Sequence, residues 1–172
     1  TWVELSDYTM LMLSPGMRRT MRVSELMTRE VEVISPDASL REAARKMDYL
    51  NVGVVPVCDG QRLVGMITDR DITVRATSIG ESPDVTRVDE VMSGEVWWCY
   101  EDEDVEEVAR RMGEKQIRRM PVVDNNRMLV GIITLGDMAT ERAPAAGKAL
   151  RAISEPSEPD WSGTLSSRRA DP

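Results

Sequence analysis

The sequence predicts a mixed α/β (α+β) fold made of two copies of one β-α-β-β-α unit, packed face to face about a pseudo-two-fold axis. Three observations predict it. The chain repeats itself with a shift of 65 residues, so that VSELM at 23–27 falls on VDEVM at 88–92 and Pro56-Val57 falls on Pro121-Val122. The hydrophobic periodicity changes in the same order in each copy, from alternating to helical, through two β-branched runs, and back to helical. Both copies close on Gly, two apolar residues, Thr, two variable residues and Asp, as GMITDRD at 65–71 and GIITLGD at 131–137.

In the first repeat, 21–80, EVEVI at 30–34 alternates like a short strand. Ser39 and Glu42 form a Ser-x-x-Glu capping box that starts a helix through Leu40, Ala43, Ala44, Met47 and Leu50. The apolar runs at 54–57 and 63–67 read as a hairpin, because Asp59-Gly60 between them is a strong turn signal. A second helix starts just after Thr68. The second repeat, 86–142, gives a strand at 95–100, a cap at Asp104 and Glu107, and a helix through Val105, Val108, Ala109 and Met112. Strands at 120–123 and 129–133 follow, one extra residue near Met128 moving the shift to 66. Units of about 60 residues bury too little surface to stand alone, so the two are expected to share a core. The 12 methionines suit that role as adaptable fillers.

Composition narrows the function classes. With 41% hydrophobic and 30% charged residues the chain is globular, and no apolar run approaches the roughly 20 residues of a membrane span. The acidic start, TWVELSDYTM, does not read as a signal peptide, so a cytoplasmic protein is expected. A formal net charge of −8 argues against nucleic-acid binding. Without histidine, and with Cys58 and Cys99 far apart in apolar stretches, zinc sites and His-based acid–base chemistry are excluded and two buried reduced thiols are expected. The acidic run at 101–107 reads as a helix start rather than a metal site.

The element order, the opening ELMTREVEVISPDASLREAARKM, the PVCD and PVVD segments and the doubled Gly-h-h-Thr-x-x-Asp together resemble a tandem cystathionine-β-synthase (CBS) domain pair, or Bateman module, over residues 21–142. The resemblance implies a regulatory fold, without a required cofactor, that binds AMP, ADP, ATP or S-adenosylmethionine in the clefts between its repeats. It also implies a flat homodimer of modules that pair through their helices. Carried onto this chain, the hydroxyls of Thr68 and Thr134 help hold phosphate, and the carboxylates of Asp71 and Asp137 accept from both ribose hydroxyls. Two carboxylate oxygens suit two vicinal hydroxyl donors. The same spacing also makes a helix cap with no ligand, and the residues alone leave both uses open.

Phosphate needs cations and the base needs an apolar slot. Arg118 and Arg119 precede Met120-Pro121, where the family often places basic residues that reach phosphate, although they also continue the charged face of RRMGEKQIRRM. Gly53 and Val54 stand at the matched positions of the first repeat, whose obvious cation is Arg70. By resemblance the base slot is lined by 31–33 with 54–56, including Val33, Val54 and Pro56, and by 96–98 with Met120 and Pro121. Trp97 is the aromatic candidate for stacking on adenine, although Trp97 and Trp98 point to opposite faces of a strand.

In the flanks, TMLMLSPGMRR at 9–19 forms an apolar patch for the module or a partner, and the 1–20 segment precedes the repeats. Within 143–172, APAAGKALRAI makes a short helix ahead of a linker-like, partly disordered tail. Three uses stay open: a sensor of adenosyl ligands read out by a protein effector, a ligand-free interaction scaffold, and, least supported, an enzyme, since no nucleophile–base pair is visible.

Overall fold

Ser39 opens the first long element of the fold, which a computed structural model describes over residues 20–154. The patch at 9–19 and the tail beyond 154 lie outside the described residues. The Ser39 hydroxyl accepts from the Glu42 amide (3.2 Å) and Glu42 Oε2 accepts from the Ser39 amide (2.8 Å), so the expected capping box is formed. It starts α1 (Leu40–Leu50), which buries Leu40, Ala43 and Met47 and ends at Asn51 in the left-handed region. β1 (Val54–Asp59) and β2 (Arg62–Thr68) then form an antiparallel hairpin, with Gly60 at φ +60 in the turn. Helix follows at once, as α2 (Asp69–Asp71), a π-helical turn (Ile72–Ala76) and a 3-10 turn (Thr77–Ile79).

The second repeat retraces this path through β3 (Cys99–Tyr100), α3 (Val105–Glu114), β4 (Arg119–Val123), β5 (Leu129–Thr134) and α4 (Leu135–Glu141). The duplication reaches fine detail. Both hairpins slip register at the same step, between Val57 and Cys58 and between Val122 and Val123. At α3 only half of the expected box forms: Asp104 accepts from the Glu106 and Glu107 amides, while the Glu107 carboxylate turns to Arg110. The expected helix at 143–153 is α5 (Ala143–Ser154), which lies on α3 where a Cβ on Gly113 would meet Ala152 Cβ at 3.2 Å. No helix among the described residues is long and apolar enough to cross a membrane.

The leading strands are shorter than the alternation at 30–34 and 95–100 predicts. Only Ile34 bridges β1, donating to the Pro56 carbonyl (3.0 Å) and accepting from the Cys58 amide (2.9 Å), and only Cys99 and Tyr100 pair with β4. Proline is the reason. A parallel ladder continued back from Ile34 needs an amide at residue 56, and the ladder continued back from Cys99 needs one at residue 121; Pro56 and Pro121 have none.

The expectation of one shared core is also corrected. The apolar interior forms two clusters, and each repeat supplies the other's missing side. Val23 and Met27 of the first repeat are buried among Cys99, Val105, Val108, Met120 and Met138, whereas Val88 and Val91 of the second are buried among Leu40, Met47, Val55 and Ile67. Main-chain bonds fix the exchange symmetrically. Val23 N donates to Glu103 O and Val88 N to Ala38 O, while Thr28 bridges Ile132 and Ser93 bridges Met66. The two repeats therefore face each other with interlocked leading turns.

Candidate functional site

The exchange builds two mixed clefts. Because Thr28 pairs with Ile132, the segment after Thr28 runs beside β5, the strand that ends at Thr134. Because Ser93 pairs with Met66, the segment after Ser93 runs beside β2, which ends at Thr68. Each cleft thus sets the first segment of one repeat, running antiparallel, against the strand that leads into the Thr–Asp motif of the other.

Both motifs are closed helix caps. Asp71 Oδ2 accepts from Thr68 N (3.0 Å) and Thr68 Oγ1 (2.6 Å), and the same Oγ1 accepts from Asp71 N (3.0 Å). Asp137 Oδ2 accepts from Thr134 N (2.8 Å) and Thr134 Oγ1 (2.9 Å), and Oγ1 accepts from Asp137 N (3.2 Å). Capping consumes one carboxylate oxygen of each Asp, leaving the second to decide what else the motif can do. In the first repeat, Asp71 Oδ1 faces Arg75 Nη1 at 3.4 Å, and that guanidinium also donates to the Val91 carbonyl and Ser93 Oγ. The matched residue of the second repeat is Glu141, and Asp137 makes no ion pair among the described residues. The sequence reading missed Arg75; comparing the repeats four residues after each Asp finds it.

Register places the cations unequally. Arg119 is the cross-strand partner of Thr134, so the two side chains stand side by side on one face, whereas Thr68 faces Val54. Arg118 and Arg119 are exposed and have no carboxylate partner among the described residues, unlike Arg41, Arg87, Arg110 and Arg111. Their place in the first repeat is taken by Gly53, with Asp69 packed onto it: a Cβ there would lie 3.0 Å from Asp69 Oδ2. Arg70 is exposed, and its amide, not its guanidinium, is engaged, donating to Asp69 Oδ1 (2.6 Å).

The apolar candidates separate. Val33 lines a cavity of 260 Å³ with Arg29, Val31, Cys58, Leu129 and Gly131, so the first segment of one repeat and β5 of the other do enclose space. Its pseudo-symmetric counterpart, between Leu63, Val64, Val96, Trp98 and Arg127, holds 90 Å³. Pro56 and Pro121 are buried, and Met120 belongs to the core cluster on the opposite face of β4 from Arg119. Trp97 is 54% exposed, with Lys115 Nζ 3.9 Å above its ring. A hollow of 640 Å³ between α3 and α5 touches none of the candidate residues; it is an open groove between helices, rimmed by Glu106, Arg110, Glu114 and Lys148.

Burial pushes the Cys58 thiol up to about 11 and that of Cys99 up to about 12, Glu103 adding to the latter, so neither is a nucleophile near neutrality. No group of His, Cys, Asp or Glu among the described residues is placed to hold a metal ion. What the arrangement offers is a half-polar cavity, one carboxylate oxygen of Asp137 that capping leaves free, and two guanidinium groups without a carboxylate partner among the described residues.

Known proteins share this architecture. The CBS domain family model matches residues 23–76 and 88–143. The CBS domain-containing protein YhcV of Bacillus subtilis is 42% identical over 134 residues, covering 77% of this chain and 94% of that protein. Among solved structures, the CBS domain protein TA0289 of Thermoplasma acidophilum superposes with a TM-score of 0.67 at 26% identity, covering 77% of this chain and 76% of that one. The CBS domain pair of protein MJ0100, solved in complex with 5′-methylthioadenosine and S-adenosyl-L-methionine, gives 0.62 at 30% identity, covering 70% of this chain and 98% of that one.

Proposed function

Because this chain belongs to the CBS-domain family, we propose that it is a regulatory binding module for an adenosyl ligand, not an enzyme. In this reading the base enters the 260 Å³ cavity against Val31 and Val33, the outward oxygen of Asp137 accepts from ribose, and Arg119 with Arg118 attracts phosphate or carboxylate. The observation that carries it is that one strand, β5, walls the cavity at residues 129 and 131 and ends on Thr134, the cross-strand partner of Arg119. Binding favours one arrangement of the interlocked repeats, and a partner reads the shift.

Two buried, unpaired cysteines support a reducing, cytoplasmic setting. For assembly, we favour a homodimer through the helices of the first repeat. Tyr49 on α1 and Val74 and Ile79 after α2 are exposed, whereas α3 already carries α5. Light scattering giving a monomer across micromolar concentrations would count against that dimer.

Calorimetric titration with AMP, ADP, ATP, adenosine and S-adenosylmethionine tests the main reading. Arg119→Ala is expected to weaken ATP and AMP at least fivefold and to leave adenosine nearly unchanged. No heat with any of the five compounds would leave the scaffold reading in its place.

A further inference from the structure

The two mixed clefts descend from one duplicated unit, yet their cavities differ nearly threefold in volume, 260 against 90 Å³. The walls match pairwise under the repeat: Val31 with Val96, Leu129 with Leu63, and Cys58 with Val123. Two large substitutions separate them: Arg29 against Gly94, and Val33 against Trp98; since the cavity that carries the arginine is the wide one, the indole is what narrows the other. We infer that Trp98 fills the base end of the second cleft and limits the module to one adenosyl ligand, held by the first segment of repeat one and the Thr–Asp motif of repeat two.

Trp98 is fixed as a filler, not poised as a gate. Tyr100 meets its ring edge-on at 5.0 Å and 74°, and the Arg127 guanidinium lies 5.3 Å over it. Arg127 is itself anchored, its carbonyl accepting from Leu63 N across the junction between the repeats. The ring therefore has partners on two sides, which favours its staying in place when a ligand arrives.

The rest of the narrow cleft agrees with its closed base end. Its ribose-facing carboxylate, Asp71, is engaged by Arg75, and where the wide cleft has Arg118, Arg119 and Leu135 it has Gly53, Val54 and Asp69. A phosphate there meets an extra carboxylate and the single guanidinium of Arg70 instead of the Arg118–Arg119 pair. These differences weaken what an opened narrow cleft could hold, whereas the indole of Trp98 is what closes it.

This inference rests on the adenosyl reading above, and its test separates the two. Adenosine, which carries no phosphate for Asp69 to repel, is titrated calorimetrically into wild type, Trp98→Val and Val33→Trp, with thermal melts confirming that each is folded. The expected stoichiometries are one, two and zero per chain. Two sites in wild type, or one site retained in a folded Trp98→Val variant, overturn the inference and leave the adenosyl reading standing. Should Trp98→Val not fold, Val33→Trp decides alone: undiminished binding overturns the inference. Absence of binding by wild type to adenosine and to every nucleotide overturns the adenosyl reading itself, and this inference with it.

Discussion

Gly131 lies directly beneath Met27: a Cβ at residue 131 would sit 2.8 Å from Met27 Sδ and 2.8 Å from the Thr28 carbonyl oxygen. Met92 lies in the same way over Gly65. The glycine that opens each Gly-h-h-Thr-x-x-Asp motif is thus explained without a ligand. It is the thin place where the exchanged turn of the other repeat crosses the hairpin.

Gly131→Ala is therefore expected to destabilise by about 1–3 kcal/mol, as overpacking against a main-chain carbonyl that is itself paired with Ile132. Gly65→Ala should cost less, because its nearest obstacle is the flexible Met92 side chain. Urea unfolding of the two variants measures the difference, and equal midpoints would contradict the crossing geometry.

The exchanged turns predict which half of the chain folds. Every residue of the first core cluster, from Ile34 to Val91, lies within 30–93, whereas the repeat as delimited by sequence, 21–80, lacks Val88 and Val91 and carries Val23 and Met27 with nothing to cover them. Fragment 30–93 should show more native-like circular dichroism and a sharper melt than 21–80. A cooperative monomeric fold of 21–80 would refute the exchange.

Asn keeps the cap at either motif aspartate, since one amide oxygen can accept both bonds that Oδ2 accepts, but it removes the charge and the second acceptor. Asp137→Asn should shift stability by under about 1 kcal/mol while weakening adenosyl binding by about 1.5–3 kcal/mol. Asp71→Asn should leave affinity unchanged, because Asp71 Oδ1 is already held by Arg75. Equal losses for the two variants in calorimetry would remove the difference between the clefts.

The thiols give an alkaline signature. Unfolded cysteine ionises near pH 8.5, but burial holds Cys58 protonated to about 11. The folded state therefore binds the extra proton, and the stability present below about pH 8.5 is lost as pH rises toward 11. Cys58→Ala should flatten the fall in unfolding free energy between pH 8.5 and 10.5 relative to wild type. Parallel curves would argue against the burial of Cys58 as the cause.

Much of this fold was legible because it was written twice. Helix starts, hairpins and α3 follow from Ser39, Asp59-Gly60 and the spacing of Val105, Val108 and Met112, which are local signals. The short leading strands were legible too, in principle, from Pro56 and Pro121, but only once the parallel pairing was known. The exchange was not, since VSELM and VDEVM look alike and their apolar pattern says that they are buried, not against which copy. At the site, the Thr–Asp pairs and the two arginines were readable, whereas the roles of Arg75, Trp98 and Cys58 depend on which segments the crossing brings together.

The crossing turns also fix how the molecule comes apart. A repeat on its own lacks the turn that completes its interior, so the unfused unit is expected to borrow one from a second copy, as a dimer whose stability depends on concentration. Joining the copies through the exposed stretch at 77–85 makes the borrowing intramolecular. A proteolytic nick near Gly80, which sits in that stretch at φ +82, consequently cuts the covalent thread without releasing either half. The nicked protein is expected to persist as a complementing pair and to part on dilution, which gel filtration of the cleaved protein at falling concentration would check.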